Sequence, residues 1–202
     1  MYSRRALLYL GVATLTCALL TSADAAAQLS GVGSGFVRID NFGKVNDNYY
    51  RGAQPVDADF ADLAALGIRT VIDLTRDGRS SERAAVERTG MKFYRIPMTT
   101  STRPADTAVA EFLRLVNDPS NQPIYVHCQG GRHRTGVMTA IYRITENGWT
   151  ADRAYEEMKR FHFEGFPDHP VLRNFVFDYD AQVEKSHHNV TTAPAAVAVA
   201  SR

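Results

Sequence analysis

Cys128 and Arg134 stand with five residues between them in the run His127-Cys128-Gln129-Gly130-Gly131-Arg132-His133-Arg134-Thr135-Gly136. A cysteine thiolate is a strong nucleophile, and a planar guanidinium can grip two oxygens of a tetraoxyanion where lysine offers only a point charge. Gly130 and Gly131 can take the positive φ values that turn successive N–H groups into one concavity. Together these residues describe a phosphate cradle with a nucleophile at its floor. The expected chemistry is an in-line attack of Cys128 on phosphorus, giving a phosphocysteine that water then hydrolyses. Arg134 and the N–H groups of Gln129, Gly130, Gly131, Arg132 and His133 are the expected substrate-binding groups, stabilising charge on the equatorial oxygens. The scheme calls for no metal and no cofactor.

Such a loop works only at a particular junction. Pro123-Ile124-Tyr125-Val126 has the β-branched and aromatic character of a short buried strand, and Val137 to Asn147 carries apolar residues at helical spacing. The cradle therefore joins a strand end to a helix start, where unpaired N–H groups and the positive end of the helix dipole favour an anion and a thiolate. Upstream, the pattern predicts helices over 57–66, 80–89 and 105–116 and strands over 68–74 and 91–97, the first two helices stopped by Gly67 and Gly90. Downstream it predicts helices over 151–163, capped by Thr150, and 171–185. Strands alternating with helices imply an α/β fold, a mostly parallel central sheet flanked by helices on both faces, with the site at the carboxyl ends of the strands.

The loop resembles the HCxxGxxR[ST]G signature of the cysteine-dependent protein tyrosine and dual-specificity phosphatases, with His127, Cys128, Gly131, Arg134, Thr135 and Gly136 at its positions. Tyr50-Arg51-Gly52-Ala53-Gln54-Pro55, Leu66 to Leu74, Gly90-Met91-Lys92-Phe93-Tyr94 and Asn121-Gln122-Pro123 resemble landmarks of the atypical plant-and-fungal-type dual-specificity phosphatases, so the likeness spans roughly residues 48–180. It implies a phosphoric monoester hydrolase acting on phosphotyrosine or phosphoserine/threonine proteins or on inositol phosphates. It also implies that His127 orders the loop and favours the thiolate, and that the Thr135 hydroxyl lies near the nucleophile. The family's proton donor is an aspartate on the loop that here reads Met98 to Asp106, whose only carboxylate is Asp106 at the far end, where a helix cap also belongs. Asp168, between two prolines, reads as a turn residue.

Arg132 and His133 add one certain and one conditional positive charge beside the phosphate seat. Basic residues there resemble the atypical subfamily, whose members include inositol pyrophosphate phosphatases, which makes highly phosphorylated small molecules candidates beside phosphoproteins. Arg51 and Gln54 either face the site or pack at a strand edge. Arg76, Arg79 and Arg83 form a basic cluster after the strand ending at Leu74, at the end of the sheet where an anion would bind.

The chain has 202 residues, 45% hydrophobic and 22% charged, enough for one core. Arg4 and Arg5 precede an uncharged stretch from Ala6 to Ser22 and the small-residue exit Ala23-Asp24-Ala25-Ala26-Ala27. Residues 1–27 thus read as a signal peptide of a secreted or periplasmic protein, with an uncleaved membrane anchor as the alternative. The expected organisation is a phosphatase domain over 28–185 and a disordered tail over 186–202. Removing residues 1–27 takes two arginines and one aspartate from 23 basic and 22 acidic residues, leaving 21 of each, so no global field recruits nucleic acid or a membrane surface. Cys128 is then the only cysteine, so no intramolecular disulfide forms, and a thiol kept outside the cytosol at a glycine-rich turn points to chemistry. The six histidines show no metal-ligand spacing. Two other classes stay open: a rhodanese-like sulfurtransferase, against which Arg134-Thr135-Gly136 argues, and a phospholigand-binding module without turnover.

Overall fold

The computed structural model describes residues 37–164 and 169–192. Residues 1–27, expected to be a signal peptide, Asp168 and residues 193–202 lie outside them. Two β-branched and aromatic segments, Thr70–Thr75 and Ile124–Cys128, are buried at every position, as strands covered on both faces must be. They are the third and fifth strands of a five-stranded sheet that also contains β1 (Gly43–Asn46), β2 (Tyr49–Ala53) and β4 (Lys92–Met98), in the order β1-β2-β5-β3-β4. Pairings of β5 with β2 and β3, and of β3 with β4, are parallel. Only β1 runs antiparallel, against β2, so the sheet is mixed at one edge and parallel elsewhere. The β1–β2 hairpin was not foreseen in the sequence, because Gly43-Lys44-Val45-Asn46 lacks an apolar alternation and β2 pairs chiefly with a strand about 75 residues away.

Helices α1 (Asp59–Ala65), α2 (Glu82–Glu87), α3 (Asp106–Asn117), α4 (His133–Asn147), α5 (Ala151–Arg160) and α6 (Pro170–Thr192) cover the two faces. Side-chain alternation along the strands sorts the core into two layers. Val71 and Tyr125 pack with Phe60, Leu63, Ala85 and Val86 of α1 and α2. Ile72, Ile124 and Val126 pack on the other face with Phe112, Val137, Ile141, Met158 and Phe175 of α3 to α6. Each fully buried side chain of this size contributes roughly 1.5–3 kcal/mol, so the sheet is stiffest at β3 and β5, beneath the loop.

The elements follow the sequence pattern with informative shifts at their ends. β5 continues through His127 and Cys128, two residues past the expected strand. α4 starts at His133, four residues before the expected Val137, so Arg134, Thr135 and Gly136 belong to its first turns. Thr150 caps α5, its hydroxyl accepting from the Arg153 amide at 3.4 Å. α6 runs to Thr192, seven residues beyond the helix expected to end at Lys185.

Candidate active site

Cys128 is the last residue of β5, 2% exposed, and the chain turns from it directly into α4. The loop from Gln129 to Arg132 closes around this point. At Gly131 φ is +64°, and a Cβ there would run into the carbonyl group of Gly52, so only glycine fits. Its carbonyl is held from below: it accepts from Arg51 Nη2 at 2.8 Å and from Asn41 Nδ2 at 3.0 Å. Gln54 donates its amide N–H to the Gln129 carbonyl at 3.2 Å. With these carbonyls tied back, the loop's amide groups are left free for an anion, which is what a phosphate cradle requires.

A cleft of about 530 Å³ opens above Cys128, Gln129, Gly130, Arg132, His133 and Arg134, walled by Arg76, Asp77, the segment Met98 to Ser101, and His169. Arg134 is mostly buried; its Nη1 donates to the Met98 carbonyl at 3.4 Å and faces Asp77 Oδ1 at 4.0 Å. Arg132 is half exposed, 3.8 Å from Glu164. The His133 ring lies tilted against His169, with ring centroids 3.9 Å apart, and meets Phe163 edge to face. Burial first, then the charges of His169, Arg132 and Arg134, push the His133 pKa down to about 4 against the opposing pull of Glu164. The conditional charge of the sequence reading is therefore absent at neutral pH, and the surplus positive charge comes from Arg132 and Arg76.

Beside Cys128 in the chain, at His127, lies a buried polar layer. His127 is fully buried, its Nε2 3.0 Å from Glu82 Oε1 and its Nδ1 3.9 Å from Asp73 Oδ1. Asp73 accepts from Arg95 Nε at 2.7 Å and from the Thr75 amide at 2.8 Å. Glu82 accepts from Gln54 Nε2 at 2.8 Å. Burial alone would raise the Glu82 carboxyl, but His127, with Gln54 and Arg79, holds it below its ordinary value of 4.5. The ligand-type atoms of Asp73, Glu82 and His127 lie within 4.8 Å of one another. Arg95 sits 2.7 Å from Asp73 and 3.8 Å from Glu82, and so supplies the neutralising charge that a metal ion would bring. Neither acid was singled out from sequence: they lie 54 and 45 residues before His127, and only the β3–β5 register and the packing of α2 bring them together.

Cys128, Gln129, Gly130, Arg132, His133 and Arg134 converge on the cleft. Thr135 is buried in the first turn of α4 with its hydroxyl lacking a hydrogen-bond partner, and it does not line the cleft. Asp106 differs from expectation. It is exposed, it is the first residue of α3 rather than its cap, which is Ala105, and it does not line the cleft. The reason is local. Its position in the first helical turn places the carboxylate where it favours the α3 dipole, beyond the segment Met98 to Ser101 that forms the wall. Of the three clustered arginines only Arg76 reaches the cleft; Arg79 pairs with Asp57 at 2.9 Å and Arg83 with Glu87 at 3.2 Å. Arg51 and Gln54 both proved to support the loop.

A family model described as the tyrosine phosphatase family matches residues 36–197. The probable tyrosine-protein phosphatase DG1060 of Dictyostelium discoideum is 31% identical over 126 residues, covering 60% of this chain and 75% of that protein. The dual specificity protein phosphatase TpbA of Pseudomonas aeruginosa is 31% identical over 135 residues, covering 66% of this chain and 59% of TpbA. A crystal structure of TpbA in complex with pTyr superposes with a TM-score of 0.61 at 27% identity, covering 73% of this chain and 90% of that one. The inositol diphosphatase SIW14 of Saccharomyces cerevisiae is 29% identical over 148 residues, 70% of this chain and 51% of SIW14. The crystal structure of its core catalytic domain with citrate superposes with a TM-score of 0.62 at 25% identity, covering 77% of this chain and 96% of that one. The chain thus spans between half and three quarters of these relatives' full lengths.

Proposed function

Because the chain belongs to the tyrosine phosphatase family, we propose that it is a cysteine-dependent phosphatase that cleaves phosphate from phosphorylated substrates through a phosphocysteine on Cys128. The observation that carries the reading is the convergence of a strand-end cysteine, a loop whose carbonyls are tied back, and the mostly buried Arg134 on one cleft. In the first step the Cys128 sulfur attacks phosphorus and the bond to the leaving oxygen breaks. In the second a water oxygen attacks phosphorus and the P–S bond breaks, releasing inorganic phosphate and the thiolate. Arg134 and the loop amides hold the equatorial oxygens through both steps. His127, 3.0 Å from Glu82, orders the loop from behind, and the unpartnered Thr135 hydroxyl is free to serve the returning thiolate. The sulfurtransferase alternative is not favoured, since the relatives are named phosphatases.

The substrate class is read from the cleft walls. Arg76 and Arg132 line the same cleft as the seat that Arg134 and the loop make for one phosphoryl group, together with Thr99, Thr100 and Ser101. A single phosphotyrosine engages neither outer arginine, Arg132 then facing only the exposed Glu164 at 3.8 Å, whereas a small molecule carrying several phosphates engages all three. The preferred substrate in this reading is a polyphosphorylated small molecule of the inositol phosphate kind, with phosphotyrosine peptides turned over less well. The Arg4-Arg5 segment and its alanine-rich exit support export through a cleaved signal peptide.

The test is phosphate release by the wild type beside Cys128→Ser on a phosphotyrosine peptide, a phosphothreonine peptide and an inositol pyrophosphate, under reducing, metal-free conditions. Turnover lost in the variant is expected, with the inositol pyrophosphate preferred. Turnover undiminished by the substitution would sink the nucleophile assignment, and binding without turnover would make the protein a phospholigand-binding module.

A further inference from the structure

We propose that Asp77, on the turn between β3 and α2, is the carboxyl group that exchanges protons with the reacting oxygens in this site. The proposal rests on the phosphatase reading above and supplies the one part that reading lacks. As the Cys128 sulfur bonds to phosphorus and the leaving oxygen departs, that oxygen takes the Asp77 proton. In the second step the attacking water gives a proton back to the Asp77 carboxylate as the P–S bond breaks, which restores both groups.

Three observations carry it. Among the described residues that line the cleft, Asp77 is the one carboxylate, and Asp106 lies outside. The second concerns depth. Asp77 Oδ1 lies 4.0 Å from Arg134 Nη1, and its side chain is 89% exposed where that of Arg134 is 10%. With Arg134 holding the equatorial oxygens of a phosphoryl group seated over Cys128, the leaving oxygen points away from the sulfur toward the mouth, and Asp77 stands on that outer side of the guanidinium.

The third is how firmly the turn is held. The Arg76 amide donates to the Met98 carbonyl at 3.3 Å on one side of Asp77, and Arg95 Nη2 donates to the Arg79 carbonyl at 2.8 Å on the other. Between them the Gly78 backbone lies directly on Thr75, Asp73 and Arg95, leaving no space for a Cβ. Arg79 itself is tied to Asp57 at 2.9 Å and to the Pro55 carbonyl at 2.8 Å. The carboxylate is therefore placed by a turn pinned to the pair of buried Asp73 and half-buried Arg95, and needs no separate loop closure to reach the mouth. The other proton-bearing side chains on the wall are His133, held neutral, and His169 tilted against it.

The experiment is leaving-group dependence. Wild type, Asp77→Asn, His169→Asn and Asp106→Asn are assayed on aryl and alkyl phosphates of graded leaving-group acidity, each variant first checked by thermal melting. A proton donor matters most when the leaving oxygen is basic, so Asp77→Asn should lose on the order of 10²-fold or more in kcat on alkyl phosphates and far less on acidic phenyl phosphates. His169→Asn and Asp106→Asn should retain the wild-type dependence. An unchanged dependence in Asp77→Asn, or the steep dependence appearing in His169→Asn instead, overturns the proposal. So does Asp77→Asn being faster on every substrate, which would make Asp77 a competitor for Arg134. Absence of turnover in the wild type on every substrate would instead bring down the phosphatase reading and this proposal with it.

Discussion

The Arg51 guanidinium, fully buried beneath the phosphate loop, donates from Nη2 to the Gly131 carbonyl at 2.8 Å. Its Nε and Nη1 have no hydrogen-bond partner, and its flat face lies 4.0 Å from the Phe161 ring centre. Burial pulls its pKa down, opposed by Tyr49, Glu157 and Cys128. Tyr49 stays protonated, since burial raises its pKa, and Glu157 is committed to Arg143 at 2.7 Å. Arg51 is thus a costly charge kept where it shapes the loop. Replacement by methionine removes a poorly compensated buried charge, so the urea midpoint should hold or rise. The loop meanwhile loses its support, and kcat/KM should fall by about 10²-fold, as displacements near 1 Å do. Both changes are read from one preparation by urea titration and initial rates.

Gly131→Ala should be the most damaging small substitution in the loop. It places a Cβ against the Gly52 carbonyl at a φ of +64°. A loss of about 3 kcal/mol or more is expected in chemical denaturation, together with loss of phosphate binding.

Glu82→Gln breaks the buried contact with His127 at 3.0 Å. At neutral pH it should cost about 3–5 kcal/mol, the usual cost of leaving one partner of a buried pair alone. The pH dependence carries a sign. Glu82 is held below its ordinary 4.5 in the folded protein, so its contribution is fully present above that value and is lost as pH falls through the lower folded value. The variant should therefore show a flatter decline of the urea midpoint below pH about 4.5 than the wild type.

His133 runs the other way in chemistry and the same way in pH. Its folded value of about 4 lies below the ordinary 6.5, so the unfolded chain takes up the proton first on acidification. Stability linked to His133 is complete above pH 6.5 and is lost between there and pH 4. In His133→Asn the fall in urea midpoint between those two values should be smaller than in the wild type; an equal fall would assign the neutral state to some other cause.

Arg134→Lys keeps the charge and discards the fork. A drop of about 10²–10³-fold in kcat is expected, with little change in melting temperature. The contrast between rate and stability separates transition-state binding from packing.

The decapeptide from His127 to Gly136 was enough, by itself, to locate the strand-to-helix junction and the residues that converge on the cleft, Cys128 and Arg134 among them. Each of these is a local property: the residues that make the cradle are adjacent in the chain, and the flanking periodicities identify the elements on either side. The alternation of helices and strands likewise carried the mostly parallel sheet and its two covered faces, though not the antiparallel β1 at its edge. What sequence could not carry was whatever depends on pairing between distant segments. Asp73 and Glu82 meet His127 only because β3 lies beside β5 in one register and α2 packs across its end. Arg51 reaches Gly131 only because β2 pairs with β5. The same cause separates the two aspartates. Asp106 occupies the stretch where a proton donor was expected, yet helix α3 begins there and carries it away from the cleft. Asp77 was not singled out from sequence at all, and only the packing of Gly78 onto the Asp73–Arg95 pair sets it beside Arg134. Local order determined which groups can react; the burial of charge between strands decided which groups surround them.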